Sequence, residues 1–296
     1  MTNVLFELFI EPFSNYSFMS RALWGCLVLS LSAAPIGVFL TLRKMSLTGD
    51  AMAHAILPGA AVGFLVSGLS IYAMTIGGII AGCIVALLSG FVARHSKAEE
   101  DSSLAAFYLL SLAVGVLIIS SKGSSVDLLH VLFGSTLALN NEALFLLTSI
   151  ATVSTLALAL VYRALVLECV DPDFFKTVSR MGGAAHYIFL LLVVLNLVAG
   201  FHALGTLMSV GLMILPAAVA RFWTNQLGPM ILIAFLCASF SCLCGLLLSY
   251  HFALAASPAI ILVLGGLYIT SIILIKQRDL FSKKHTSLSL SGQTNA

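Results

Sequence analysis

Apolar stretches long enough to cross a bilayer recur along almost the whole chain, and that recurrence leaves few folds open. They lie near Ala22–Leu42, Ala51–Val66, Ile71–Val92, Leu104–Ser120, Ala143–Leu165, Tyr187–Gly200, Leu204–Val219, Met230–Tyr250 and Ala259–Ile275. A helix that crosses the hydrocarbon core needs about 20 apolar residues. In lipid every backbone polar group must be satisfied within the protein, which favours helices over open strands. The expected fold class is therefore all-α, a polytopic membrane helix bundle of about eight to ten transmembrane helices. The range reflects the segments starting at Ala51 and Tyr187, which are short and open to tilting, breaking or re-entry. Composition agrees: 60% of residues are hydrophobic and 9% charged, against roughly 25% charged in a soluble domain, and the mean hydropathy is +1.10. The net charge of +2 includes no basic block that would suggest a nucleic-acid partner. Residues 1–284 read as one membrane unit, and the Ser/Thr-rich tail 285–296 is expected to be disordered.

Basic residues set the orientation of such a bundle. Arg43 and Lys44 follow the first span, Arg94 and Lys97 the third, Arg163, Lys176 and Arg180 the fifth, Arg221 the seventh, and Lys276, Arg278, Lys283 and Lys284 the last. Alternate ends are basic, which predicts cytoplasmic loops there, a cytoplasmic C-terminus and an outside N-terminus; Lys122 is the exception. Glu7 and Glu11 precede the first span where a cleavable signal would carry a basic region. Five of the six cysteines, Cys26, Cys83, Cys237, Cys242 and Cys244, fall inside apolar runs and read as small hydrophobes rather than as a disulfide framework.

Ionisable residues inside a membrane are costly and mark functional sites by default. Asp50 and His54 stand four apart, so a helix places them on one face, one turn from each other. A carboxylate and an imidazole in that relation can grip a divalent cation; the plainer alternative is a helix-start carboxylate favouring the dipole, with a hydrogen-bonded histidine. Pro58-Gly59 follows in the same run and frees a backbone carbonyl as a further oxygen donor. The ligand types suit zinc, manganese or ferrous iron, and the imidazole leans the reading toward zinc. His202 and His251 are further candidate ligands, each alternatively a structural histidine with one hydrogen bond. His130, three residues after Asp127, reads as part of a loop.

Residues 168–183 form the longest polar stretch between spans. Asp171-Pro172 is a helix-start signature and Gly182-Gly183 a stop. Together they predict a short amphipathic helix on the cytoplasmic face, with Phe174, Phe175 and Val178 as its apolar contacts. A solvated connector has no use for adjacent phenylalanines, so a partner contact is expected. Phosphate-binding glycine loops, nucleophile elbows and zinc-protease helices are absent from the sequence. The chain is not expected to hydrolyse ATP or to be an enzyme.

Three stretches resemble the membrane permeases of the bacterial ABC-3 family, importers of zinc, manganese and iron. Leu47–Gly59 is similar to the family's GDxxxHxxLPG signature, Leu132-Phe-Gly-Ser135 matches its LFGS element, and Leu212–Arg221 is similar to its LLIxPAAxA run. Asp171–Phe174 with Gly182 resembles its DPEFA segment. The likeness covers about Leu42 to Ile275. It implies a homodimer with a central translocation path in the bacterial cytoplasmic membrane, two separate ATPase subunits supplying ATP hydrolysis, and an extracytoplasmic binding protein that delivers the metal. It implies Zn2+ or Mn2+ as cargo, with no permanently bound cofactor, and a coupling helix at Asp171–Gly183 that includes Asp171, Pro172, Phe174, Phe175, Val178 and Gly182. Phe252–Pro258 lacks the aspartate that family members often carry before the last span, and His202 replaces another polar residue; both departures favour a histidine-richer, zinc-leaning path. Competing readings are a siderophore- or vitamin-type ABC permease, whose chains are usually longer, and an ion-gradient-driven secondary metal transporter, which needs no docking helix.

Overall fold

The computed structural model describes residues 11–68, 70–95, 100–121, 139–170, 175 and 184–293, with the backbone alone described at 94–95, 100, 119–121, 202 and 278–293. These residues form helices and no strands. A short α1 (Glu11–Asn15) precedes α2 (Ser17–Leu42), α3 (Ser46–Ser67), α4 (Ile71–His95), α5 (Glu100–Ser121), α6 (Asn141–Val170), α7 (Ala184–Leu204), α8 (Thr206–Trp223), α9 (Leu227–Phe252) and α10 (Ala256–Gln293). Nine helices among the described residues, α2 to α10, are long and apolar enough to cross a membrane, matching the nine runs legible in the sequence. Where a disordered tail is expected from His285, the backbone continues as helix to Gln293, although the apolar part of α10 ends at Gln277. The stretch with Lys122, Asp127, His130 and Leu132–Ser135 lies outside the described residues.

A helix apolar all round must be covered on all sides by protein or by lipid. α2 and α7 take the first course and are the most buried helices. α2 packs against α3, α6, α7, α8 and α9, while α7 packs against α2, α3, α4, α6 and α8. Between them Phe39 of α2 meets Phe189 of α7 edge-on, with ring centroids 6.3 Å apart. α5 and α10 lie at the periphery and are the least buried.

Water cannot drive helices together within lipid, so close backbone approach through small residues does much of the joining. The α3–α4 pair shows it. Gly59 and Gly63 of α3 face Ala73, Gly77 and Ala81 of α4, and a Cβ added at Gly59 would fall on the Gly77 carbonyl. One at Gly77 would fall on the Gly59 carbonyl. Gly37 of α2 is pressed against the backbone of Met213 in α8 in the same way.

The turn from α2 into α3 takes three residues, Arg43, Lys44 and Met45. The Met45 N–H donates to the Leu40 carbonyl (2.9 Å) and the Lys44 N–H to that of Thr41 (3.2 Å), the double bond of a Schellman cap. Lys44 occupies the left-handed position (φ 60°) usually given to glycine. The Arg221 guanidinium, near the end of α8, donates to the Thr41 carbonyl at 2.8 Å. Arg43 reaches Glu168 near the end of α6. The basic ends of α2, α6 and α8 thus share one face of the bundle, as the charge pattern predicts.

Candidate metal site in α3

Asp50 and His54 lie in the first three turns of α3. Their separation of four residues places them on one face, with His54 Nε2 3.9 Å from Asp50 Oδ1. That is too long for a hydrogen bond, yet close to what one cation bridges with bonds of about 2.0–2.2 Å to each. Asp50 is 65% exposed and His54 35%. Leu47, on the same face, is exposed too, whereas Thr48, Gly49 and Met52 on the opposite face are buried. Gly49 lies there against Met213 and Ile214 of α8.

Proline lacks an N–H, so Pro58 leaves the carbonyl four residues back without its helical donor. That carbonyl belongs to His54 itself. The next one, of Ala55, accepts a hydrogen bond from Ser111 Oγ of α5 at 3.0 Å. Pro58 packs on Gly115 of α5, and the Tyr108 ring of α5 stands 6.3 Å from the imidazole. One short segment of α3 therefore offers a carboxylate, an imidazole and a freed carbonyl, with α5 braced behind them. Among the described residues no group of three or more His, Cys, Asp or Glu is disposed to hold a metal ion by itself.

The other predicted site residues are dispersed. His251 is exposed in the last turn of α9, beside Tyr250, whose ring meets Tyr16 at 5.7 Å. Tyr16 precedes α2, so this cluster sits at the opposite end of α2 from the corner that leads to Asp50. Twenty-six helical residues separate the two ends by about 39 Å. The backbone of His202 lies in the last turn of α7; its neighbour Phe201 packs with Leu57, Ala60 and Phe64 of α3. Of the expected docking residues, Asp171, Pro172, Phe174, Val178 and Gly182 lie outside the described residues. Phe175 is 4% exposed and belongs to the main apolar core. Its ring is committed to this chain rather than to a partner.

A cluster that the sequence does not disclose lies at the basic face. Arg43 Nη2 donates to Glu168 Oε2 at 2.6 Å, with side-chain exposures of 8% and 12%. Arg43 Nη1 donates to His186 Nδ1 at 3.4 Å, and the guanidinium lies 4.6 Å from the centroid of Phe189. Glu168, the first residue of the polar stretch 168–183, belongs to α6, which continues five residues past Leu165. Glu168 and His186 stand 125 and 143 positions from Arg43 along the chain, so no local pattern announces the cluster.

A family model described as the ABC 3 transport family matches residues 15–275. The manganese transport system membrane protein MntC of Listeria monocytogenes is 34% identical over 278 residues, covering 94% of this chain and 98% of that protein. The manganese import system permease protein ScaB of Streptococcus parasanguinis is 30% identical, covering 91% and 95%. The chelated iron transport system membrane protein YfeD of Yersinia pestis is 28% identical, covering 92% and 90%. Among solved structures, PsaBC from Streptococcus pneumoniae in complex with Fab superposes with a TM-score of 0.77 at 29% identity, covering 88% of this chain and 93% of that one.

Proposed function

The chain belongs to the ABC 3 transport family and is a multi-pass membrane protein, and on that ground we propose that it is the permease of an ATP-driven importer of a divalent transition metal. ATP is hydrolysed by a separate subunit, an extracytoplasmic binding protein delivers the metal, and the membrane is the bacterial cytoplasmic one. The observation that carries this reading is the exposed Asp50–His54 pair within a membrane helix. A carboxylate so exposed is too costly to face hydrocarbon. It calls for a polar path, and a second copy of the chain against this face of α3 supplies the other wall. The pair then lines a central path of a homodimer, and each copy presents one imidazole and two kinds of oxygen donor to the passing ion.

That donor set bears on the metal. The lean toward zinc rests on several imidazoles, but His251 stands at the far end of the bundle from the α2–α3 corner. One imidazole with a carboxylate and a carbonyl is a harder, oxygen-richer set, suited to manganese or ferrous iron. The relatives named for manganese and iron transport support the same choice, and we place manganese ahead of zinc. Zinc is the second reading, favoured by the imidazole of His54. Segment 171–183 is the coupling segment, and with Phe175 buried in the core Phe174 is the residue assigned to the ATPase.

The test is growth of a deletion strain under chelation, with the chain supplied alongside the ABC ATPase subunit assigned to it. Rescue by micromolar manganese that requires an intact ATPase is the expected result. Rescue by zinc alone selects the second reading. Rescue that persists without any ATPase would assign the chain to gradient-driven transport.

A further inference from the structure

α10 is longer than the membrane it crosses. Its apolar part, Ala256–Gln277, has 22 residues, about 33 Å at the rise of an α-helix, which matches a hydrocarbon core of about 30 Å. The helical backbone then continues for a further sixteen residues, to Gln293. Lys276, Arg278, Lys283 and Lys284 stand on this junction, with Asp279 the one acidic residue among them. Lys276 is exposed. Lys283 follows it by seven positions, two turns further along the same face.

Charge sets this end of the chain apart. Of the 14 Lys and Arg, four fall between positions 276 and 284, and of the 12 Asp and Glu, one does. The chain before Lys276 therefore carries ten basic and eleven acidic residues, and the net charge of +2 owes its sign to the end of α10. Elsewhere acidic residues stand close to the basic span ends. Glu99, Glu100 and Asp101 follow Arg94 and Lys97, and Glu168, Asp171 and Asp173 lie between Arg163 and Lys176. Arg43 is paired with Glu168. Four Lys and Arg just past a span, with so little acid to offset them, form the kind of cluster that attracts anionic headgroups.

Position selects lipid as the partner. α10 lies at the periphery of the bundle, and its main contacts are with α8 and α9 rather than with α6 and α7, which flank the segment assigned to the ATPase. Trp223 ends α8 and is 49% exposed, and its Nε1–H donates to Ser271 Oγ of α10 at 3.2 Å. Phe222 meets Tyr268 of α10 with ring centroids 5.5 Å apart. Trp and Tyr concentrate at the level of the headgroups, so these contacts set the last apolar turns of α10 beside that level, and Lys276 follows Ser271 by five residues. We propose that the basic end of α10 is a docking surface for the anionic phospholipid headgroups of the leaflet on the basic face of the bundle. The attraction reaches about 8 Å at physiological ionic strength. It is therefore strongest at Lys276 and Arg278, the two positions nearest Ser271, and it weakens as salt is added.

The chain has two tryptophans, Trp24 near the start of α2 and Trp223 beside α10, so Trp24→Phe leaves Trp223 as a reporter of the lipid at this end. The test reconstitutes the full chain with Trp24→Phe into vesicles of equal parts phosphatidylcholine and phosphatidylglycerol. The acyl chains of one lipid or of the other are brominated, and quenching of Trp223 is compared. Brominated phosphatidylglycerol is expected to quench more, with relative binding at least about threefold in its favour at low salt, and the preference should fall toward one as NaCl is raised. Lys276→Gln, Arg278→Gln, Lys283→Gln and Lys284→Gln together are expected to abolish it. Equal quenching by the two lipids, or a preference indifferent to salt, overturns the proposal. The salt series needs none of the four substitutions, so it decides the matter even where the fourfold variant fails to fold. A preference that survives in a folded fourfold variant overturns the proposal as well, because it then belongs to other residues. If no lipid preference is seen and the fourfold variant instead loses capture of the ATPase, the surface belongs to that partner and the proposal falls.

Discussion

Asp50 and His54 owe their geometry to one helix, so each can be tested without disturbing the fold. Asp50 is mostly exposed, and substitutions at such sites usually change stability by about 0.5 kcal/mol or less. Asp50→Ala is therefore expected to reach the membrane in parental amounts while uptake falls to background, measured by immunoblot and metal accumulation side by side. His54→Ala should behave alike. His251→Ala, at the opposite end of α2, should leave uptake within twofold; a loss as deep as that of Asp50→Ala would return His251 to the metal path. The pair and Pro58 were legible in the sequence because the i, i+4 spacing and the i−4 rule for proline are local. The Arg43 cluster was not legible, because its members meet only after α2, α6 and α7 have packed, and Arg43 alone looks like any basic residue at a span end.

At the scale of elements, α3 and α4 are joined backbone to backbone. A methyl group at Gly77 would meet the Gly59 carbonyl, and nothing flexible is there to give way. Gly77→Ala is expected to destabilise the bundle by about 1–3 kcal/mol, the usual range for overpacking. Gly228→Ala, where an added Cβ meets nothing within 4 Å, should be neutral or slightly stabilising. Thermal unfolding midpoints of the two purified variants in one detergent check the contrast, and equal midpoints would mean that the α3–α4 seam is looser than described. The spans themselves could be read from the sequence because hydrocarbon thickness fixes their length. Their ends could not: α6 runs on to Val170 through Glu168, whose carboxylate pairs with Arg43 of α2, a contact that no local pattern announces. The adjacent phenylalanines show the same limit. Composition marked both as apolar contacts, but the interior of the fold claims Phe175.

The whole molecule presents apolar side chains outward along α4, α5, α6, α9 and α10, Ile80, Leu117, Leu160, Leu236 and Leu262 among them, as lipid contact requires. The open face at Asp50 and His54 sets a carboxylate and an imidazole side by side on a membrane helix, and it is the ground for placing a second copy and a metal path there. The most direct measurement is Mn2+ uptake into liposomes containing the chain with its ATPase, compared between the parent and Asp50→Ala at matched assembly and ATP hydrolysis. The account predicts ATP-dependent uptake by the parent and none above background by the variant. Parental uptake by Asp50→Ala would contradict it, because the carboxylate would then have no part in moving the ion.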